Sequence, residues 1–385
     1  MDKIKIIITN TGNWNYMMWF FLGFYQNENI DLKFESGLYS KIAQYIGNDF
    51  LSNVIRKLNE KKNTDMVLQG SAYIDDKVVK FAIDPYDSPF IYRKKLLDDV
   101  DVYFKMQCPN AIKKEGFQLN STVCVPYIDF EYNADGTRKL IPDIEIYKHK
   151  IKPLMIGARK LACGISKKSL LKGYHNYVNS YNEMNRKKLM CYFGSANSPG
   201  IIKKDVNLID FDSEKQIMYR FKDEVNHPNE KRYKAAKIIS DLEPVELYDA
   251  RVINQGCRDE TNIGMNPVPI EDFCKHIANF EYNLNISGFR LSIPNRFVES
   301  FMVGTAIVTD KLHVKWFLPF EEEVVETVEM GYELDKNVDW DRFHSDIENL
   351  PMQSPKRVKN LFDNKWSPIS VSQYILDTLI DLEKY

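Results

Sequence analysis

The densest gathering of chemistry-bearing residues lies between Tyr282 and Val308, where Arg290, Ser292, Asn295, Arg296 and Glu299 fall within ten positions. The apolar run Tyr282–Ile286 predicts a strand, Gly288 a loop, Pro294 the first turn of a helix, and Gly304 the stop before a second strand at Ala306. A loop of this kind sets Arg290, Ser292, Asn295 and Arg296 around a helix N-terminus. Guanidinium forks beside exposed backbone N–H groups suit a diphosphate. Glu299, one turn past Arg296, is within reach of ribose hydroxyls. The plain alternative is a helix with surface arginines and an ordinary C-cap glycine.

A second set lies in Phe81-Ala82-Ile83-Asp84-Pro85-Tyr86-Asp87, where two carboxylates follow an expected strand. Ligands in doubly wound sheets gather beyond the carboxyl ends of strands. Asp84 and Asp87 are therefore candidates for a general base that takes a proton from an attacking hydroxyl, with Asp84 ahead. Turn formation by Asp beside Pro is the competing explanation.

Elements able to position these groups can be read along the whole chain. Ile4–Thr9, with its four isoleucines, predicts a buried strand, and Trp14–Tyr25 a helix after the turn at Gly12. Further strands are expected at Met66–Leu68, Val78–Ile83, Val100–Lys105 and Leu154–Ile156, with helical stretches at Tyr39–Lys61 and from Gly157 through Asn185. A second series begins at the strand Lys188–Phe193 and continues through helices at Arg232–Leu242, Ile270–Ala278 and Pro294–Val303 and a strand at Ala306–Thr309. The chain is longer than one core usually holds. The expected division is residues 1–185, residues 186–365, and a final amphipathic helix within 366–385 that either crosses back to the first unit or packs on its own.

The Tyr282–Val308 segment resembles the donor-site motif of GT-B-fold glycosyltransferases, in particular the exostosin-like and capsule-associated-protein-like families. It has their apolar strand, Gly, Ser, Arg, Glu and Gly-bounded second strand. The likeness extends more loosely, in the order of elements, from Lys188 to Asp310. It implies an α/β chain with two Rossmann-like domains facing each other across a cleft, acceptor on the first and sugar nucleotide on the second. By position Arg296 would hold the diphosphate and Glu299 the ribose, with Ser292 in the loop. The backbone at Gly194 and Ser195, after the strand ending Tyr192-Phe193, would approach the phosphates, and Arg232 would be a second phosphate ligand. The loop is longer than the family's, and Asn285 and Ser287 stand where acidic residues are common, so the donor stays open.

The implied activity is transfer of a sugar from a nucleotide-diphosphate donor to a glycan, lipid-linked glycan or other hydroxyl acceptor. Two other classes stay open: a non-catalytic glycan- or nucleotide-binding module of the same fold, and a sugar-nucleotide epimerase. No cofactor and no metal are expected. The D-x-D pairs Asp99/Asp101 and Asp210/Asp212 lie in charged contexts, and the arginine cradle supplies the positive charge a metal would bring. The six histidines show no zinc spacing, and no G-x-G-x-x-G, G-x-S-x-G or Walker A pattern occurs.

Fifty-two basic against fifty-four acidic residues argue against a nucleic-acid binder. The six cysteines lack C-x-x-C spacing, which reads as free thiols in a reducing compartment. With no leader and no run of about 20 apolar residues, a cytoplasmic protein without a transmembrane segment is expected, peripheral membrane contact remaining open.

Overall fold

The computed structural model describes residues 3–35, 37–62, 66–86, 94–109, 117–119, 122–124, 127–132, 138–140, 144–159, 161–183, 188–193, 234–235, 238–239, 245–248, 272–286, 293–312, 314–320, 324–327 and 338–382. It is a mixed α/β architecture built on two principal sheets. The first contains β1 (Ile4–Thr11), β2 (Ile30–Phe34), β3 (Leu68–Ile74), β4 (Lys77–Asp84), β5 (Val102–Lys105) and β6 (Ile151–Pro153), in the order β6-β5-β4-β3-β1-β2. The second contains β7 (Lys188–Phe193), β8 (Val245–Tyr248), β9 (Phe280–Asn285), β10 (Ala306–Thr309) and β11 (Val325–Thr327), in the order β8-β7-β9-β10-β11.

The second sheet is parallel throughout. Its strands behave as parallel strands must, buried on both faces: every residue of β10 is buried. The first sheet departs from the expected Rossmann-like pattern, because β3 runs antiparallel to both β1 and β4. Ile74 sits opposite Lys77, so only Asp75 and Asp76 connect β3 to β4. Two residues close a hairpin, whereas a parallel crossover needs a dozen or more. Asp75 takes the left-handed conformation at φ 46°, which Asp tolerates better than most side chains.

Other expectations change in the structure as well. The apolar run Leu154–Ile156 is buried but lies in a loop after β6, since burial alone does not separate strand from buried loop. The helical stretch Tyr39–Lys61 breaks into α2 (Gly37–Ala43) and α3 (Asp49–Lys62). There Asn48 accepts a hydrogen bond from the Leu51 N–H and starts the second helix. Between Gly157 and Asn185 the ordered helix is α6 (Lys167–Val178), capped by Ser166; α4 (Lys94–Asp99) and α5 (Ile144–Tyr147) precede it. Most of the helix expected at Arg232–Leu242 lies outside the described residues.

Helix α1 (Trp14–Gln26) is apolar on nearly every side, and a helix of that composition must be covered all round. Gly12 leads into it at φ 56°, where an added Cβ would lie 2.6 Å from the Met66 carbonyl oxygen. Fully buried Phe20, Phe21 and Phe24 contribute about 1.5–3 kcal/mol each.

The outer cover of α1 comes from the far end of the chain. There α9 (Trp340–Glu348), α10 (Pro355–Leu361) and a π-helical turn (Phe362–Trp366) lead into α11 (Pro368–Asp381); α7 (Phe273–Ile277) and α8 (Arg296–Met302) lie earlier, in the second series. Asn27 donates to Ser372 and Gln373 of α11, and Gly23 lets the Pro368 backbone approach so closely that no side chain would fit. Trp19 meets Phe362, and Trp366 stacks on Phe301 of α8 at 4.9 Å. Through these rings one continuous core joins the residues of both sheets.

Candidate functional site

Helix α8 follows the carboxyl end of β9, and three contacts tie its approach to loops leaving the carboxyl ends of first-sheet strands. Gln107, just past β5 and fully buried, donates to the Ile293 carbonyl at 2.8 Å and accepts from the Ile293 N–H at 2.9 Å. Asn295 donates from its amide to the Gly157 carbonyl at 2.5 Å. Glu299 accepts from the Arg159 backbone N–H at 3.1 Å. Beside these, Cys108–Pro109 and Val314–Lys315 pair as a short antiparallel ribbon. The carboxyl-end loops of the two sheets therefore meet around the start of α8, the region where open α/β sheets gather ligands.

Arg296 opens α8, and its Nη2 donates to Asn285 Oδ1 at 3.2 Å, at the tip of β9. Asn285 in turn donates to the Thr309 hydroxyl at the tip of β10, which donates to Asp310. This chain of polar side chains fixes the guanidinium beside the strand ends. Asn295, at the N-cap position, has helical backbone angles (φ −52°, ψ −26°) and makes no side-chain cap.

Glu299 is buried one turn further on. Burial pushes its carboxyl up to about 7, against the Arg159 N–H and the nearby charges of Arg296 and Arg159, which pull it down. A carboxyl poised there accepts hydrogen bonds from hydroxyls when ionised and keeps a proton when nothing compensates its burial.

In the first sheet, Asp84 ends β4 and is completely enclosed. Lys105 at the end of β5, equally enclosed, lies 3.0 Å from Asp84 Oδ2. The Tyr103 hydroxyl donates to the same oxygen at 2.5 Å, and the Tyr86 N–H donates to Oδ1 at 2.8 Å. Lys105 also donates to the Tyr86 carbonyl at 3.3 Å. Asp84 thus sits in a buried ion pair that pins the chain leading to Asp87.

Of the residues singled out by sequence, Asn295, Arg296 and Glu299 come together on α8, with Asp84 at the carboxyl end of the other sheet. Asp87, Gly194, Ser195, Arg232, Arg290 and Ser292 lie outside the described residues, as do Asp210 and Asp212. Asp99 and Asp101 precede β5 and so lie at its amino end, away from the tip at Lys105, and Asp101 is engaged by the Lys80 N–H. Gln107 and Arg159 carry no sequence signal of their own. Each becomes visible only when residues far apart in the chain are brought together.

Among the described residues no helix is long and apolar enough to cross a membrane. No protein-family model matches the chain, and no curated protein sequence matches it. Among solved structures, the chain is similar to one described as the crystal structure of the GtfA/B complex, with a TM-score of 0.32 and 11% identity over 82% of this chain. The match spans 63% of that protein's chain.

Proposed function

We propose that the chain is a glycosyltransferase that moves a sugar from a nucleotide-diphosphate donor to a glycan, a lipid-linked glycan or another hydroxyl acceptor. The observation that carries this is the joint placement of Arg296 and Glu299 on α8, at the carboxyl end of β9 and against loops of the first sheet. Arg296, with Arg290 and Arg232, neutralises the diphosphate; a guanidinium carries five N–H donors, enough to serve Asn285 and phosphate oxygens together. Glu299 takes the ribose hydroxyls. Ser292, Asn295 and the backbone at Gly194 and Ser195 complete the donor side.

On the acceptor side we assign the two carboxylates different tasks. Asp84, sealed with Lys105 and Tyr103, holds Tyr86 in place. Asp87, next in sequence after Tyr86, takes the proton of the attacking hydroxyl as the hydroxyl oxygen bonds to the anomeric carbon and the nucleoside diphosphate leaves. In this proposal residues 1–185 form the acceptor side, residues 186–365 the donor side, and the cleft between them holds the reaction. Permanent positive charge at the diphosphate makes a divalent metal unnecessary, so turnover persists in excess EDTA.

Calorimetry with UDP-, GDP-, ADP- and CMP-sugars, followed by product analysis with and without hydroxyl acceptors, tests the assignment. Saturable binding of one nucleotide class and acceptor-dependent release of the nucleoside diphosphate is the expected result. Binding with no turnover for any acceptor would leave a binding module, and conversion of the donor without acceptor would point to an epimerase.

A further inference from the structure

The two helices that follow β2 turn much of their apolar surface outward. On α3 the inward face carries Ser52, half-buried Ile55 and Asn59, whereas Phe50, Leu51, Val54 and Leu58 face solvent, Phe50 at 75% exposure. The preceding α2 repeats the pattern, with Ser40 and Ala43 buried, Leu38 and Ile42 exposed, and Tyr45 just beyond its end 82% exposed. A helix resting on a protein core in water does the reverse. Most of the large exposed hydrophobics among the described residues fall in this one stretch of chain. Apolar side chains exposed together in this way mark a surface that is covered in use.

The charges around the patch say what covers it. Exposed Lys41 lies one turn from Leu38 on α2, with Tyr45 just past the helix end, and exposed Lys57 adjoins Val54 and Leu58 on α3. At the turn between the helices, Gly47 leaves room for the Lys168 side chain, which runs 3.1 Å from where a Cβ would stand. Asp49, the carboxylate of that turn, is paired with Lys172 at 2.8 Å. The patch is therefore apolar and aromatic in the middle and positive at its edges. Lysine stems can lie along apolar surface while their ammonium groups reach outward, an arrangement that fits the boundary between acyl chains and anionic headgroups.

We propose that α2 and α3 form a docking surface for an anionic lipid bilayer, with Tyr45, Phe50, Leu51 and Val54 entering the interface and Lys41, Lys57 and Lys168 meeting the headgroups. The contact is peripheral and independent of the sugar-transfer reading, although a lipid-linked acceptor would be reached from such a surface.

Vesicle co-sedimentation of the full chain, without sugar nucleotide, tests this directly. Vesicles mixing phosphatidylcholine and phosphatidylglycerol should retain the protein at low salt, and phosphatidylcholine alone should retain it less. Because the mutated side chains are already exposed, Leu51→Ser/Val54→Ser should melt as wild type does while partitioning falls by about tenfold or more. Lys41→Glu/Lys57→Glu should lose the preference for the anionic vesicles, again by about tenfold or more. Absence of binding to the mixed vesicles, or binding untouched in both variants, overturns the proposal. So does light scattering that shows a dimer, turned monomeric by Leu51→Ser/Val54→Ser, with no lipid binding: the patch would then join two copies.

Discussion

Gln107 and Ile293 stand 186 residues apart and exchange two hydrogen bonds, amide to carbonyl at 2.8 Å and backbone N–H to amide oxygen at 2.9 Å. A side chain thereby plays the part of a neighbouring strand for the residue that leads into α8. Gln107→Leu fills similar volume but strands both Ile293 groups in a buried place. Unfolding in urea should show a loss of about 1–3 kcal/mol. If Gln107 also positions the donor segment, nucleotide affinity should fall in the folded variant as well. A variant equal to wild type in both measurements would remove the clamp.

The Asp84–Lys105 pair makes a second prediction. Asp84→Asn leaves a buried ammonium without its countercharge, which costs about 3–5 kcal/mol. Asp84→Asn/Lys105→Met removes both charges and should recover much of that loss in thermal or urea unfolding. Equal destabilisation of the single and double variants would mean that the pair is not the source of the cost.

Glu299 gives stability and binding opposite pH dependences. Its carboxyl titrates near 4.5 when unfolded and about 7 when folded, so the folded chain holds a proton that the unfolded chain releases. Stability from this group is fully present below the unfolded value and is lost as pH rises through the folded one, by on the order of 3 kcal/mol. Glu299→Gln should flatten that slope in unfolding measured from about pH 5 to about pH 8. Ribose hydroxyls donate best to the ionised carboxylate, so sugar-nucleotide affinity should instead climb over the upper part of the same range. An unchanged stability slope in Glu299→Gln would show that another group titrates.

Arg296→Ala should lower nucleotide affinity by at least about tenfold, since removing one partner of a desolvated charge pair typically costs roughly 2–5 kcal/mol. Calorimetry on the folded variant decides it. Unaltered affinity would take Arg296 out of the diphosphate site.

Local runs made much of the fold legible. The isoleucines of β1, the apolar-aromatic α1 and the Pro294-to-Gly304 interval around α8 each announce an element by composition and punctuation. The β3–β4 hairpin was missed because Asp75-Asp76 lacks the glycine that usually flags a two-residue turn. At the candidate site, Arg296 and Glu299 are visible because both sit on one helix, three positions apart. What they touch is another matter. Arg159, Gly157 and Gln107 approach from the other sheet, and no periodicity encodes an approach made across more than a hundred residues.

The cover that α11 lays over α1 bears on how the chain is made. Asn27 and its partner Ser372 are separated by 345 positions. At about 5–20 residues per second, synthesis leaves on the order of tens of seconds between the appearance of α1 and that of its lid. Through that interval Trp14, Trp19, Phe20 and their neighbours lack their final packing. The nascent protein is then a natural client for chaperones that hold apolar segments on the ribosome. A stop codon placed anywhere before Pro368 should yield aggregates rather than a shortened, working molecule.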